Sequence, residues 1–109
     1  MRKPKMCIFL NMHKYANKQK PLFIRMRVFR ALACEHRLEM LEILRYGSHT
    51  VTEVADYIGL HPSVVSRHLY MLFNSGLVSM EKRGNAVFYT LRDPELLKKL
   101  FSIIDKIGR

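Results

Sequence analysis

Between Thr50 and Leu91 the order of residues leaves few folds open to the chain. Val51, Val54, Ala55 and Ile58 share one face of a short helix. Thr50 or Ser48 can cap that helix, and with Thr50 as the cap Glu53 falls at the capping-box position. Gly59 then supplies a tight turn, since it takes a positive φ at no steric cost. Pro62 opens a second helix that runs to about Asn74, with Gly76 just past its end. Along this helix Val65, Leu69, Leu72 and Phe73 form an inward stripe, while Ser63, Ser66, Arg67 and Tyr70 fall outward. Residues 77–81 and 86–91 are strand-like, joined by Lys82-Arg83-Gly84-Asn85, whose Gly and Asn suit a tight hairpin. The succession predicts a helix-turn-helix followed by a wing with a basic tip.

The flanks add helices. Pro21 is placed to open one over residues 21–33, where Leu22, Met26, Phe29 and Ala31-Leu32 recur at helical spacing and Arg25, Arg27 and Arg30 lie elsewhere on its surface. A second, over about residues 35–46, is expected to bury Leu38, Leu41 and Leu44 and to stop at Gly47. After the hairpin, Asp93-Pro94 starts a last helix whose apolar residues are Leu96, Leu97, Leu100, Phe101, Ile103, Ile104 and Ile107. Seven large apolar residues in about fourteen exceed what one buried face takes, so a partner helix is expected in addition to the chain's own core. With 109 residues, 49% of them apolar, the chain suits one compact domain and not two. The expected fold is mainly α with a small β-hairpin wing, a winged helix-turn-helix in a single domain over residues 21–109, preceded by a basic arm over residues 1–20.

The net charge of +10 is unevenly distributed. Nine Lys and Arg precede the first acidic residue, Glu35; from there on ten basic residues face nine acidic ones. The N-terminal excess can neutralise phosphates and release counterions, an affinity for nucleic acid that depends on salt and not on sequence. The apolar stretch at residues 6–10 is too short for a signal peptide and is followed by further lysines, and no run of 18 apolar residues occurs, so a cytoplasmic protein without a membrane span is expected. Met6 to Met12 fits an extra strand or a helical turn equally well. Cys7 and Cys34 form no disulfide framework and no CxxC motif; a bridge between them would tie the arm to the body. Such bridges are uncommon in a reducing compartment.

The segments RALACEHRLEMLEIL and EVADYIGLHPSVVSRHLYMLFNSGLVSMEKRGNAVFYTL together resemble the arsenic-repressor-like (ArsR-type) winged-helix transcriptional regulators. The telling pieces are Leu32-Ala33 with Arg37-Leu38, the run Val65 to Leu69, Gly76-Leu77-Val78, and Gly84 ahead of Val87-Phe88-Tyr89. The resemblance implies a homodimer joined through the first and last helices and bound to a palindromic operator in double-stranded DNA. It places Leu22, Met26, Leu97, Leu100, Phe101 and Ile104 at the dimer contact. It also makes the helix from Pro62 the recognition helix. Ser63, Val64, Ser66 and Arg67 are then the candidates for the groove: Ser hydroxyls for base edges, Val64 for a thymine methyl, Arg67 for guanine or phosphate. His68 is expected to hold a phosphate or a neighbouring helix, and Tyr70 to contact phosphate or serve the fold. Lys82, Arg83 and Asn85 of the wing are expected at the backbone or minor groove.

Metal-sensing members of that family carry a cysteine pair around the start of the helix before the turn, where this chain has Thr50 and Thr52. Threonine hydroxyls cannot replace thiolates toward soft metals. The last helix offers only Glu95 and Asp105, and no two of the histidines at 13, 36, 49, 61 and 68 have i,i+4 spacing on one helix. No sensory metal and no cofactor are therefore expected. Without a phosphate loop or nucleophile motif, an enzyme is not expected either. Two other readings stay open at this level: a redox- or ligand-responsive sensor of the same fold using Cys34 or a pocket at the dimer interface, and a winged-helix module that binds protein.

Overall fold

The computed structural model describes residues 21–109; the basic arm over residues 1–20, with its Met6–Met12 patch and any Cys7–Cys34 bridge, lies outside the described residues. Within them the order is α1 (Pro21–Leu32), α2 (Glu35–Leu44), β1 (His49–Thr50), α3 (Val51–Ile58), α4 (Pro62–Asn74), β2 (Val78–Arg83), β3 (Ala86–Leu91) and α5 (Pro94–Ile107).

Local chemistry sets most of these boundaries. Thr50 closes a complete capping box on α3: its hydroxyl accepts from the Glu53 N–H at 3.2 Å, and the Glu53 carboxylate accepts from the Thr50 N–H at 2.8 Å. Gly59 ends α3 with a φ of 79°, left-handed geometry that a side chain would strain. Asp93 caps α5 by accepting from the Leu96 N–H at 3.1 Å, ahead of Pro94 at the first helical position. On α2 the helix stops at Leu44, two residues short of the expected end, because Arg45, Tyr46 and Gly47 close a turn of shorter-range backbone bonds.

The core forms where α2, α3 and α4 meet the sheet. Met40, Leu41 and Leu44 pack with Val54 and Ala55, and with Val65, Leu69 and Leu72; Val78, Tyr89, Leu91 and Leu97 cover them, and Ala31 and Leu32 close the α1 side. Burial of each such large aliphatic side chain is worth about 1.5–3 kcal/mol, so the inner stripe of α4 is held firmly. Two expected core residues are not buried. Leu38 and Phe73 lie at the edge of their helices' inner stripes and remain over a third exposed; Met40, one helical step round from Leu41, takes the core position on α2 instead.

The sheet has three antiparallel strands in the order β1-β3-β2, one more than the hairpin expected from sequence. His49 pairs with Tyr89 and Thr50 with Phe88, so the residue that caps α3 is also a strand residue. The hairpin itself corrects the expected loop. Pairing runs from Val78–Leu91 to Arg83–Ala86, which puts Lys82 and Arg83 inside β2 and leaves only Gly84-Asn85 as the turn. Gly84 takes a φ of 62° while Asn85 does not go positive, the pattern of a two-residue turn with glycine first. Such a turn matches the twist of paired strands, which allows the ladder to run to the tip.

Candidate nucleic-acid interface

The outer face of α4 is open along its first two turns. Pro62, Ser63, Val64, Ser66 and Arg67 are exposed, opposite the stripe that Val65 and Leu69 bury. The start of this face is braced by His61, which the sequence reading did not single out. Its Nδ1 accepts from the Ser63 N–H at 3.1 Å and stands 2.9 Å from the Ser63 hydroxyl, which donates to it. Histidine is not a favoured cap, so composition offers no cue; the two-residue offset from His61 to Ser63 is the only signal. Ser63 is thereby pre-oriented, with its hydroxyl oxygen still able to accept.

Further along α4, the expected residues part ways. Tyr70 is half-exposed, its ring centroid 6.3 Å from that of Phe73. His68 turns away from the open face and is half-buried against α2, where its Nδ1 lies 3.1 Å from Arg37 Nη1. Of the two expected roles for His68, the contact made is with the neighbouring helix. Burial, then the Arg37 guanidinium, His36 and Arg67, hold its pKa below the ordinary imidazole value.

On the wing, side chains alternate between the two faces of the ladder. Lys82 is exposed and shares a face with Val78 and, across the strands, Tyr89, the side packed on the helices. Arg83 lies on the other face, its guanidinium 4.5 Å from the Phe88 ring centroid, 3.0 Å from the Glu81 carboxylate and 3.5 Å from the Ser48 hydroxyl. Arg83 is exposed at the last pair of the ladder, next to the turn, and in the free protein these contacts brace the wing. Asn85 is the exposed second residue of the turn.

The open apolar surface lies on α1 and α5. Leu22, Ile24, Met26 and Phe29 are exposed on α1, and Leu96, Ile103, Ile104 and Ile107 on α5, with Leu100 and Phe101 half-buried. Leu97, expected at a dimer contact, belongs to the protomer's own core with 6% exposure. It sits one helical step off the Leu96–Leu100–Ile103–Ile107 stripe, and that step turns it inward. Between α2 and α5 runs a groove of about 660 Å³ whose walls include Leu38, Glu42, Phe101 and Ile104. Cys34 is half-buried at the cap position of α2.

The model of the bacterial regulatory protein, arsR family, matches residues 34–80, from the start of α2 into β2. The transcriptional activator HlyU of Vibrio cholerae is 32% identical over 80 residues, 73% of either chain. The chain belongs to the arsR family. The regulator NmtR of Mycobacterium tuberculosis is 40% identical to this arsR-family chain over 70 residues, 64% of this chain and 58% of NmtR; the chain thus spans less than two thirds of that relative. Among solved structures, the homodimeric winged helix-turn-helix DNA-binding domain of a possible ArsR-family regulator from Mycobacterium bovis superposes with a TM-score of 0.70 at 29% identity, covering 80% of each chain.

The two expected threonines, Thr50 and Thr52, stand at the start of α3. The Thr50 hydroxyl is occupied by the Glu53 N–H, and Thr52 is an exposed hydroxyl. Among the described residues no group of three or more His, Cys, Asp or Glu side chains is arranged to hold a metal ion. No helix of the described residues is long and apolar enough to cross a membrane.

Proposed function

We propose that this arsR-family chain pairs with a second copy through α1 and α5 and binds palindromic double-stranded DNA, regulating transcription by covering its operator without a sensory metal. One observation carries this reading: the inner stripe of α4 is locked in the core while Ser63, Val64, Ser66 and Arg67 stand open beside the wing. A helix presented in that way fits the major groove, and side chains near its N-terminus reach base edges. In the proposed complex Ser63 and Ser66 contact base edges, Val64 packs on a thymine methyl, and Arg67 takes guanine or phosphate. Pro62 lies at the groove's rim, and Tyr70, Lys82 and Asn85 meet the backbone. The basic arm before Pro21 adds charge that strengthens attachment to any duplex. In the homodimer the α5 stripe and the exposed residues of α1, Leu22 and Met26 among them, meet their counterparts. The chemistry is recognition and not catalysis.

Selection of bound sequences from a random duplex pool, with molar mass measured in parallel by sedimentation, tests the whole reading. A dimer and an enriched inverted repeat are expected. A monomer that shifts no duplex at low salt would overturn it.

A further inference from the structure

Arg37 is the buried charged residue of the described core, and its guanidinium is shared among three helices. Nε donates to the Ala31 carbonyl at 2.8 Å and Nη2 to the Arg30 carbonyl at 2.9 Å, both at the end of α1. Nη1 lies 3.1 Å from His68 Nδ1 and 3.4 Å from the Met71 sulfur, both on α4. The carbonyls at a helix C-terminus carry partial negative charge and favour a cation, which offsets the cost of burying this one.

Arginine has donors and no acceptor, so the bond at His68 has one possible direction. His68 Nδ1 accepts, its ring proton sits on Nε2, and the imidazole is neutral. A proton added at Nδ1 would set an N–H against the guanidinium and break this bond between α2 and α4. We propose that Arg37 is the positioning residue of the DNA-reading helix: it fixes α4 against the end of α1 through neutral His68, and acid releases that hold. This deepens the DNA-binding reading above and rests on it. Its consequence is that one side chain bonds both to α1, a helix of the proposed dimer contact, and to α4, the proposed reader.

The charged and titratable groups facing His68 are Arg37 and His36 from α2 and Arg67 from α4; the His36 ring centroid is 6.0 Å away, and His36 Nδ1 is 3.2 Å from the Glu39 carboxylate. Each of the three facing groups disfavours a second positive charge. Their effect adds to that of burial and holds the folded pKa below the unfolded one. The hold is therefore complete above the ordinary imidazole pKa and weakens as pH falls below it toward the folded value.

The test compares the full chain with H68N and R37K. Asparagine at position 68 can offer an amide oxygen where Nδ1 stands, an acceptor that does not titrate. Lysine at position 37 keeps the charge and loses the fork that reaches two carbonyls and an imidazole together. Long-range proton–nitrogen NMR of the unbound chain should show His68 as the Nε2–H tautomer near neutrality, and R37K should shift the Nδ1 resonance because the bond from the guanidinium is lost. With a labelled duplex recovered by the selection above, affinity of the parent relative to H68N should fall as the pH is lowered from about 7.5 to 5.5, the direction set by the lowered folded pKa of His68. The comparison cancels the contribution of the other histidines. An Nδ1–H tautomer, or acid profiles that superpose for parent and H68N, would overturn the proposal. The NMR measurement needs no DNA, so failure to bind any duplex would sink the functional reading while the tautomer still decides the role of Arg37. It also needs only the parent chain, which covers the case of R37K failing to fold.

Discussion

Replacing Ile103 by alanine separates pairing from folding. The substitution removes three carbon groups, each worth about 0.8 kcal/mol when taken from water into an apolar contact. Ile103 is 56% exposed in the protomer, so about 1.3 kcal/mol per copy is available to a partner and not already used in the core. A two-fold dimer presents the same position twice, which brings the loss to about 2.7 kcal/mol. That corresponds to about a hundredfold weaker dimer. Sedimentation equilibrium over a dilution series reads the constant directly, and the far-UV spectrum should stay that of the parent. Leu97→Ala is the matched control. With 6% exposure it should instead destabilise the protomer by about 2–5 kcal/mol, seen as a lower melting temperature. A dimer constant for Ile103→Ala within about threefold of the parent's would refute the assignment of α5 to the interface.

Other substitutions probe the reading face, the cap and the wing separately. Arg67→Ala should weaken a selected site by about 1–3 kcal/mol more than random duplex if Arg67 reads a base; equal losses on both, measured by fluorescence anisotropy, would make it a phosphate contact. Thr50→Ala removes the hydroxyl that caps α3 and should cost about 1 kcal/mol, lowering the melting temperature by about 4–8 °C. An unchanged melting temperature would mean the capping box adds nothing to stability. Lys82→Ala should weaken binding to all duplexes and reduce the salt slope by about one unit, whereas Arg83→Ala should leave that slope nearly as it was. Equal slope changes in the two variants would show that Arg83 leaves Glu81 and Phe88 when DNA binds.

The element order was legible because each boundary has a short-range cause. Thr50 with Glu53, Gly59, Pro62, and Asp93 with Pro94 each lie within four residues of the boundary they set. The features that were missed depend on separation. Two residues of β1 carry no alternation of their own, and their strand character comes from Tyr89 and Phe88, forty and thirty-eight positions later. Arg37 sits in a helix where charge ordinarily marks the solvent face. Its burial makes sense only once the carbonyls of Arg30 and Ala31 and the ring of His68 are close to it. The position of Lys82 and Arg83 depended on turn length, and four basic or turn-forming residues in a row suggested a loop. The register places two of them in the ladder. On α4 the outward positions of Ser63, Ser66 and Arg67 followed from helical period alone, and for His68 the contact with a neighbouring helix was one of the two expected roles, its partner Arg37 being the part that sequence did not name.

Thr50 joins two elements that could otherwise move apart. Its backbone is paired to Phe88 in the sheet, and its hydroxyl starts the helix that leads through Gly59 to α4. Sheet pairing and helix capping together tie the wing to the helix before α4, and in the proposed complex a duplex with a compressed or widened groove adapts to that arrangement. Sequence preference should accordingly extend to base pairs that no side chain touches, through the ease with which each deforms. An added pair of residues at Gly84-Asn85 would lengthen the wing without altering that arrangement, so its reach could be changed independently of the base contacts proposed for α4.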